Sequence, residues 1–245
     1  IHHASGLMDA EAQEERPEDP IRLPTLTEVE YAHKRASLQE GKLTATQLKG
    51  GKEEENREIF APIPRSMKPN FATKRLSATE KGTAIHLAMQ YMKYELCTDA
   101  KTVSEELERL VSEGFITQDQ ADAVPPEKIL GFFASPLGQR VLGADKVIRE
   151  FKFSILEDAG KYDPELVGEK YLLQGVTDCC FVEDGYLNIL DFKSDRVTEE
   201  TVQERAEYYK GQINAYADAL SKIFRLPVRD KILYFFTTDS AYYLT

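Results

Sequence analysis

Asp178 and Asp191 stand on either side of an Asp184-Gly185 dipeptide, and Lys193 follows the second acid by two residues. The flanking runs, KYLLQGVTDCCFVE and YLNILDFK, alternate and are rich in β-branched and aromatic residues, so they read as two strands. Asp-Gly between such runs is a strong signal for a two-residue hairpin turn. With that turn Glu183 faces Tyr186, and counting outward sets Asp178 across from Asp191 in a non-hydrogen-bonded pair, Cβ atoms ~5 Å apart. Lys193 falls on the same face as Asp191. Two carboxylates this close repel by roughly 3 kcal/mol at an effective dielectric of about 20. A solvated face would relieve them, but the face expected for the pair is otherwise largely apolar. It reads Leu172, Gln174, Val176, Asp178, Cys180 and Val182 on one strand, and Leu187, Ile189, Asp191 and Lys193 on the other. The remaining compensators are a shared proton or a divalent cation, with Lys193 assisting. Oxygen ligands with few soft donors favour magnesium or manganese.

Two helical groups could join this pair. In Gly82-Thr-Ala-Ile-His86 the glycine costs up to ~1 kcal/mol against alanine inside a helix, which predicts close approach to another backbone. His86 lies beside the helix's core stripe rather than on it, and a lone helical histidine is by itself unremarkable. Farther on, Arg205, Tyr209, Gln212 and Tyr216 follow i, i+4, i+7, i+11 spacing and share one helix face, although tyrosines on such faces usually serve packing.

The elements that must position these groups are legible in outline. Ser77-Ala-Thr-Glu80 has the form of a capping box, and Ile85, Met89, Met92 and Leu96 recur behind it at helical spacing. Further helix is expected over Ser104–Glu113, near Thr117–Ala123, and over Pro126–Leu142 in one or two segments. Strand character begins at Lys146 with VIREFKFSIL. A long helix is expected from Thr198, as its cap, to Phe224, with Glu199 and Glu200 in its first turn. KILYFF and AYYL read as a last hairpin. Residues 1–24 are polar and proline-punctuated and read as a linker or a tail of a preceding domain, in which His2 and His3 are not ligands. Residues 25–245 read as one domain, with a helical stretch near Thr27–Gln39, a short polar segment KLTATQLKG, and a long loop over 50–75. The order of elements predicts an α/β fold, a mixed central sheet flanked by helices.

Composition narrows the function. The chain has 245 residues, 42% hydrophobic and 30% charged, enough to bury a sizeable core. With 31 Lys and Arg against 42 Asp and Glu, its formal net charge is −11, which excludes a general nucleic-acid coat or a basic membrane-surface protein. No apolar run approaches the ~18 residues of a membrane span, and no signal peptide is visible. Cys97, Cys179 and Cys180 are too few and wrongly spaced for a disulfide framework, a zinc site or an iron–sulfur cluster, which suggests a reducing cytoplasm. No GxxxxGK[ST] occurs, so no ATP-driven motor is expected on this chain. Because it opens on Ile1, the chain is expected to be a piece of something longer.

The order of the chemical groups resembles the RecB-like branch of the PD-(D/E)XK nuclease superfamily: GTxxH on a helix, an Asp on one strand, D-F-K on the next, then QxxxY on a helix. The stretches KLTATQLK, LSATEKGTAIHLAMQ, REFKFSI, LQGVTDCCFVEDG, ILDFKSDRV and LPVRDKILYFF are similar, more closely, to the C-terminal nuclease domains of AddAB-type helicase/nuclease enzymes of double-strand-break repair. That resemblance implies a restriction-endonuclease-like core. It also implies a Mg²⁺ (or Mn²⁺) site held by His86, Asp178, Asp191 and the Phe192 carbonyl, with no iron–sulfur cluster. Asp178, Asp191, Lys193, Gln212 and Tyr216 are the implied catalytic set. Thr83, Arg205, Gln212 and Tyr216 are the implied DNA contacts. The implied substrate is single-stranded DNA, fed by helicase domains of the same full-length protein and cut by an exonuclease-type reaction in a bacterial cytoplasm. The implied heterodimer partner is of the AddB type. A freestanding exonuclease of the same branch is disfavoured by the missing cysteines. The main rival is a degenerate nuclease fold that docks a partner or guides DNA without cutting, although every catalytic residue such a module would have lost is present.

Overall fold

The computed structural model describes residues 41–50 and 76–245. The expectations for residues 1–24, for a helix near Thr27–Gln39 and for a loop over 50–75 fall outside these, apart from Gly50. In chain order the elements are β1 (Lys42–Thr44), a 3₁₀ turn (Ala45–Leu48), α1 (Ala78–Tyr91), α2 (Ala100–Ser112), α3 (Gln118–Ala123), α4 (Pro126–Ala134) and α5 (Pro136–Gly143). They continue with β2 (Lys146–Asp158), β3 (Lys170–Glu183), β4 (Tyr186–Lys193), α6 (Val202–Phe224), β5 (Val228–Phe235) and β6 (Ser240–Tyr243).

The expected mixed sheet forms, with helices on both faces. Its path runs β1-β3-β4-β5-β6, and β2 pairs with the other edge of β3. β1–β3 and β4–β5 are parallel, while β2–β3, β3–β4 and β5–β6 are antiparallel. One core joins the helices preceding the sheet to one face, through Met89, Met92, Leu110, Phe132, Phe181, Phe192 and Tyr234. The other face packs on α6 through Leu173, Ile189, Ile213, Leu220, Leu233 and Phe235. β4 is buried along its length beyond Tyr186, as the central strand of such a sandwich must be. No helix among the described residues is long and apolar enough to cross a membrane.

Several local expectations need correction. The segment read as merely polar contains β1, whose Lys42–Thr44 pair with Leu172–Gln174; pairing with a distant strand, not local propensity, makes it a strand. The Ser77 capping box forms, with the Glu80 amide donating to Ser77 Oγ at 3.2 Å and the Ser77 amide donating to Glu80 Oε2 at 2.7 Å. However, α1 stops at Tyr91, so Leu96 leaves the stripe and is 46% exposed. α2 begins at Ala100 rather than Ser104, because Asp99 caps it by accepting from the Thr102 amide. The Pro126–Leu142 region is two helices, divided where Ser135 ends α4 and caps α5 ahead of Pro136. α6 starts at Val202, not after a Thr198 cap. Thr198 instead closes a preceding turn, accepting from the amides of Thr201 and Val202.

The β3 face is also corrected. The β2–β3 register runs from Lys146 opposite Val182 to Asp158 opposite Lys170, interrupted at one step where Glu150 would meet Asp178. Glu150 has φ +50°, a left-handed conformation rare outside glycine. Below this step Ile148 and Cys180 face α6, whereas above it Phe151, Phe153, Ile155 and Leu173 do. The alternation therefore reverses, and Leu172, Gln174 and Val176 point away from α6 rather than sharing the Cys180 face. On that outer side Gln174 donates to Ser154, and Leu156 is 66% exposed.

Candidate active site

The hairpin register is as expected: Glu183 opposes Tyr186, and the ladder continues to Cys179 opposite Leu190. Asp178 and Asp191 are the next step outward. β1 and β4 share one edge of β3, pairing with residues 172–174 and 179–183, so Asp178 sits in the interval between them. Its side chain fills in for the missing ladder there, because Oδ2 accepts from the Phe192 amide at 2.8 Å. The Phe192 ring turns the other way into the core, edge-on to Phe132.

α1 brings His86 over this step, with Nδ1 3.3 Å from Asp178 Oδ2. Gly82 makes that approach possible. A Cβ there would lie 2.4 Å from Ser194 Oγ, so the close neighbour is the side chain after Lys193, not the backbone that the helical glycine suggested. The Lys193 ammonium is ion-paired with Asp191, and both side chains are nearly buried. Tyr209, from α6, lies under that ammonium, with Nζ 3.9 Å from the ring centroid. One turn on, Gln212 Nε2 donates to Tyr216 Oη at 2.7 Å, both residues buried. The segment 45–50 buttresses α6 at this level. A Cβ on Gly211 would stand 2.1 Å from the Leu48 carbonyl, and the Gly50 amide donates to the Tyr208 carbonyl at 2.8 Å.

The two acids are shifted in opposite directions. Burial works against ionising Asp178, but His86, Lys193 and the Phe192 amide outweigh it and hold its carboxyl below the ordinary range. For His86 burial favours the neutral ring, yet Asp178 prevails and raises its pKa. Burial raises the Asp191 carboxyl, helped by the like charge of Asp178 and opposed by Lys193. Burial, then Asp191 and Asp178, push the Tyr216 hydroxyl far up, so it remains a donor.

A further carboxylate, absent from the sequence reading, belongs to this group. Glu150 stands level with Asp178 across the interrupted β2–β3 step, and its pKa is raised by burial and then by Asp178, with Asp191 adding. Tyr209, which the sequence left at ordinary packing, also joins the group through Lys193. Arg205 does not reach the acids. Its Nε is 3.3 Å from Asp195 Oδ2, its NH2 donates to Tyr209 Oη at 3.1 Å, and its guanidinium stacks on Tyr208 at 4.4 Å. Thr83 is exposed on α1, its hydroxyl donating to the Thr79 carbonyl. The three cysteines are buried and free.

The donor types suit a hard divalent cation. Two carboxylates and an imidazole converge, and buried Asp191 Oδ2 receives no directed hydrogen bond beyond its ion pair. As they stand, no three His, Cys, Asp or Glu side chains among the described residues gather tightly enough to enclose an ion. Each site acid is instead balanced by a group of the chain, Asp178 by His86 and Asp191 by Lys193.

Comparison with known proteins gives the family of the chain. Residues 63–244 match the PD-(D/E)XK nuclease superfamily. The chain is 38% identical over 209 residues, 82% of its length, to the A subunit of the ATP-dependent helicase/nuclease of Pelotomaculum thermopropionicum. Identity to the proteins of the same name is 35% over 86% of the chain in Clostridium botulinum, and 33% over 84% in Bacillus cytotoxicus. The aligned region is 16%, 17% and 18% of those three relatives, so the chain spans under a fifth of their length. On that match and these identities, the chain belongs to the PD-(D/E)XK nuclease superfamily.

Proposed function

We propose that this chain is a metal-dependent DNA nuclease domain that hydrolyses phosphodiester bonds of single-stranded DNA delivered by a helicase during double-strand-break repair. The observation that carries the reading is the meeting of Asp178, Asp191 and Lys193 at one level of the β3–β4 edge, with His86 and Gln212–Tyr216 closing over it from opposite faces.

Asp178, Asp191 and His86, with the Phe192 carbonyl, would hold Mg²⁺ or Mn²⁺. When bound, such a cation offsets charge on the phosphate and the leaving oxygen and lowers the pKa of a bound water. The chain's own residues do the rest. Asp178 is oriented by the Phe192 amide and kept ionised by His86. Lys193 orients the attacking water and balances negative charge that develops on the phosphate. Tyr216 keeps its proton and, joined to Gln212, presents a donor at the same level for the DNA strand or for the lysine. Thr83 and Arg205 contact the strand farther out.

The net charge of −11 fits a domain that presents only a small slot, with nonspecific affinity supplied elsewhere. The proposed partners are helicase domains of the same full-length protein and a separate chain of the AddB type, in a bacterial cytoplasm, with an exonuclease-type outcome. The test is cleavage of end-labelled single-stranded DNA with Mg²⁺ or with EDTA, beside Asp191→Ala and Lys193→Ala. Metal-dependent cutting lost in both variants is the expected result. If wild type and variants behave alike and calorimetry finds no Mg²⁺ or Mn²⁺ bound by either the wild type or Asp178→Ala, the chain is a docking module instead.

A further inference from the structure

We propose that Tyr209 is the positioning residue of Lys193: its ring carries the lysine ammonium, and its hydroxyl is pinned so that the ring cannot turn away. The proposal rests on the nuclease reading above for the role of Lys193.

A lysine at the end of a strand has four rotatable carbons and three donors, and an acid two residues earlier can capture it in more than one rotamer. Lys193 touches Asp191 on one side. On the other, Nζ stands 3.9 Å from the centroid of the Tyr209 ring, well inside the distance at which a ring face attracts a cation. A ring face attracts without a lone pair that would take a proton or fix one N–H direction. The ammonium is thus held in place while the donors that Asp191 does not engage stay free for a substrate.

The ring itself is fixed from the same loop. Tyr209 Oη donates to Asp195 Oδ2 at 2.6 Å, and Asp195 lies two residues beyond Lys193. Arg205 NH2 donates to the same hydroxyl at 3.1 Å, and Arg205 Nε is 3.3 Å from Asp195 Oδ2. Tyr209 therefore accepts and donates at once, and the strand exit Lys193–Asp195 is fastened to α6 at both ends of one side chain. Tyr209 is buried and lies three residues before Gln212. The helix that sets the Gln212–Tyr216 pair thus also sets the lysine. Phenylalanine would keep the ring face and lose the pins; leucine would lose both.

The test uses the whole chain labelled with ¹³C and ¹⁵N in lysine, the Lys193 signals being those missing from Lys193→Ala. In the wild type the Lys193 Cε methylene protons are expected upfield, as protons over an aromatic face are. Without its pins the Tyr209→Phe ring keeps the shift at reduced size, and Tyr209→Leu loses it. Cleavage of single-stranded DNA with Mg²⁺, below the melting temperature of every variant, then shows kcat of Tyr209→Leu down roughly 2- to 30-fold, the range of one cation–π contact, with KM unchanged and Tyr209→Phe restoring most of it. If Tyr209→Leu does not fold, Asp195→Ala replaces it, with a reduced upfield shift and a matching fall in kcat expected. A wild-type Lys193 without the upfield shift, or full kcat in a folded Tyr209→Leu, overturns the proposal and leaves the nuclease reading standing. Equal cleavage by wild type and Lys193→Ala refutes the nuclease reading itself, and the positioning role with it.

Discussion

The backbone amide of Phe192 donates to the carboxylate of Asp178 across an interval where β3 has no strand on that edge. One hydrogen bond thus serves the sheet and the acid at once. Asp178→Asn retains an oxygen acceptor for the Phe192 amide and is expected to fold nearly as the wild type. Asp178→Ala leaves a half-buried donor unmet and is expected to lose about 1–3 kcal/mol. Urea unfolding separates the two variants, and calorimetry with Mg²⁺ is expected to find binding weakened in both.

Glu150 adds a third negative group beside Asp178 and Asp191, and its pKa is raised first by burial. A carboxyl with a raised native pKa stabilises the fold below its unfolded value, and that contribution is lost as pH rises through the native value. Glu150→Gln is therefore expected to be more stable than the wild type above the ordinary carboxylate range in EDTA. The difference should vanish in more acid solution, and Mg²⁺ affinity should fall. Melting curves across pH, with and without metal, check both signs.

Glu106 behaves in the opposite sense and lies away from the site. It is buried, accepts from Arg109 at 2.7 Å and from the Lys93 amide at 2.9 Å, and the Arg109 guanidinium holds its carboxyl below the ordinary range. A depressed native pKa contributes stability above the unfolded value and loses it as pH falls through the native one. Glu106→Gln should cost about 1–3 kcal/mol at neutral pH, and the deficit should narrow in acid, with cleavage unaffected.

Gly82→Ala gains helix propensity of up to ~1 kcal/mol but drives a Cβ into Ser194 Oγ. Stability should change little while kcat falls, because Ser194 follows the lysine. The double variant Gly82→Ala, Ser194→Gly should recover the lost turnover; steady-state kinetics of the three proteins decide it.

The acid pair was legible because a two-residue turn fixes register rigidly, so Asp184-Gly185 alone sets Asp178 one step beyond Cys179 and Leu190. Glu150 had no such marker. The connection from β2 to β3 holds two 3₁₀ turns rather than a tight hairpin, so no count from it sets the opposing strand. The face reversal was hidden for a related reason. A left-handed residue inside a strand is usually announced by glycine, and here it is a glutamate. β1 is three residues long and owes its form to β3. The start of α6 was misplaced because Thr198 and Thr201 are both plausible caps, and only the turn between them distinguishes them. Family membership, by contrast, was legible in the order of GTxxH, Asp, D-F-K and QxxxY.

The paired reversal at Glu150 and Asp178 also bears on how this arm can change length. Both strands exchange faces at one level, so their inward and outward residues match only as a couple. A single insertion in β2 or β3 would carry the exposed Leu156 or Val176 inward and expel Phe153 or Leu173. Length variation is admissible there only in compensating pairs, or in the 159–169 connection. The acids are thereby shielded from drift by the geometry of strands that contribute only part of their chemistry.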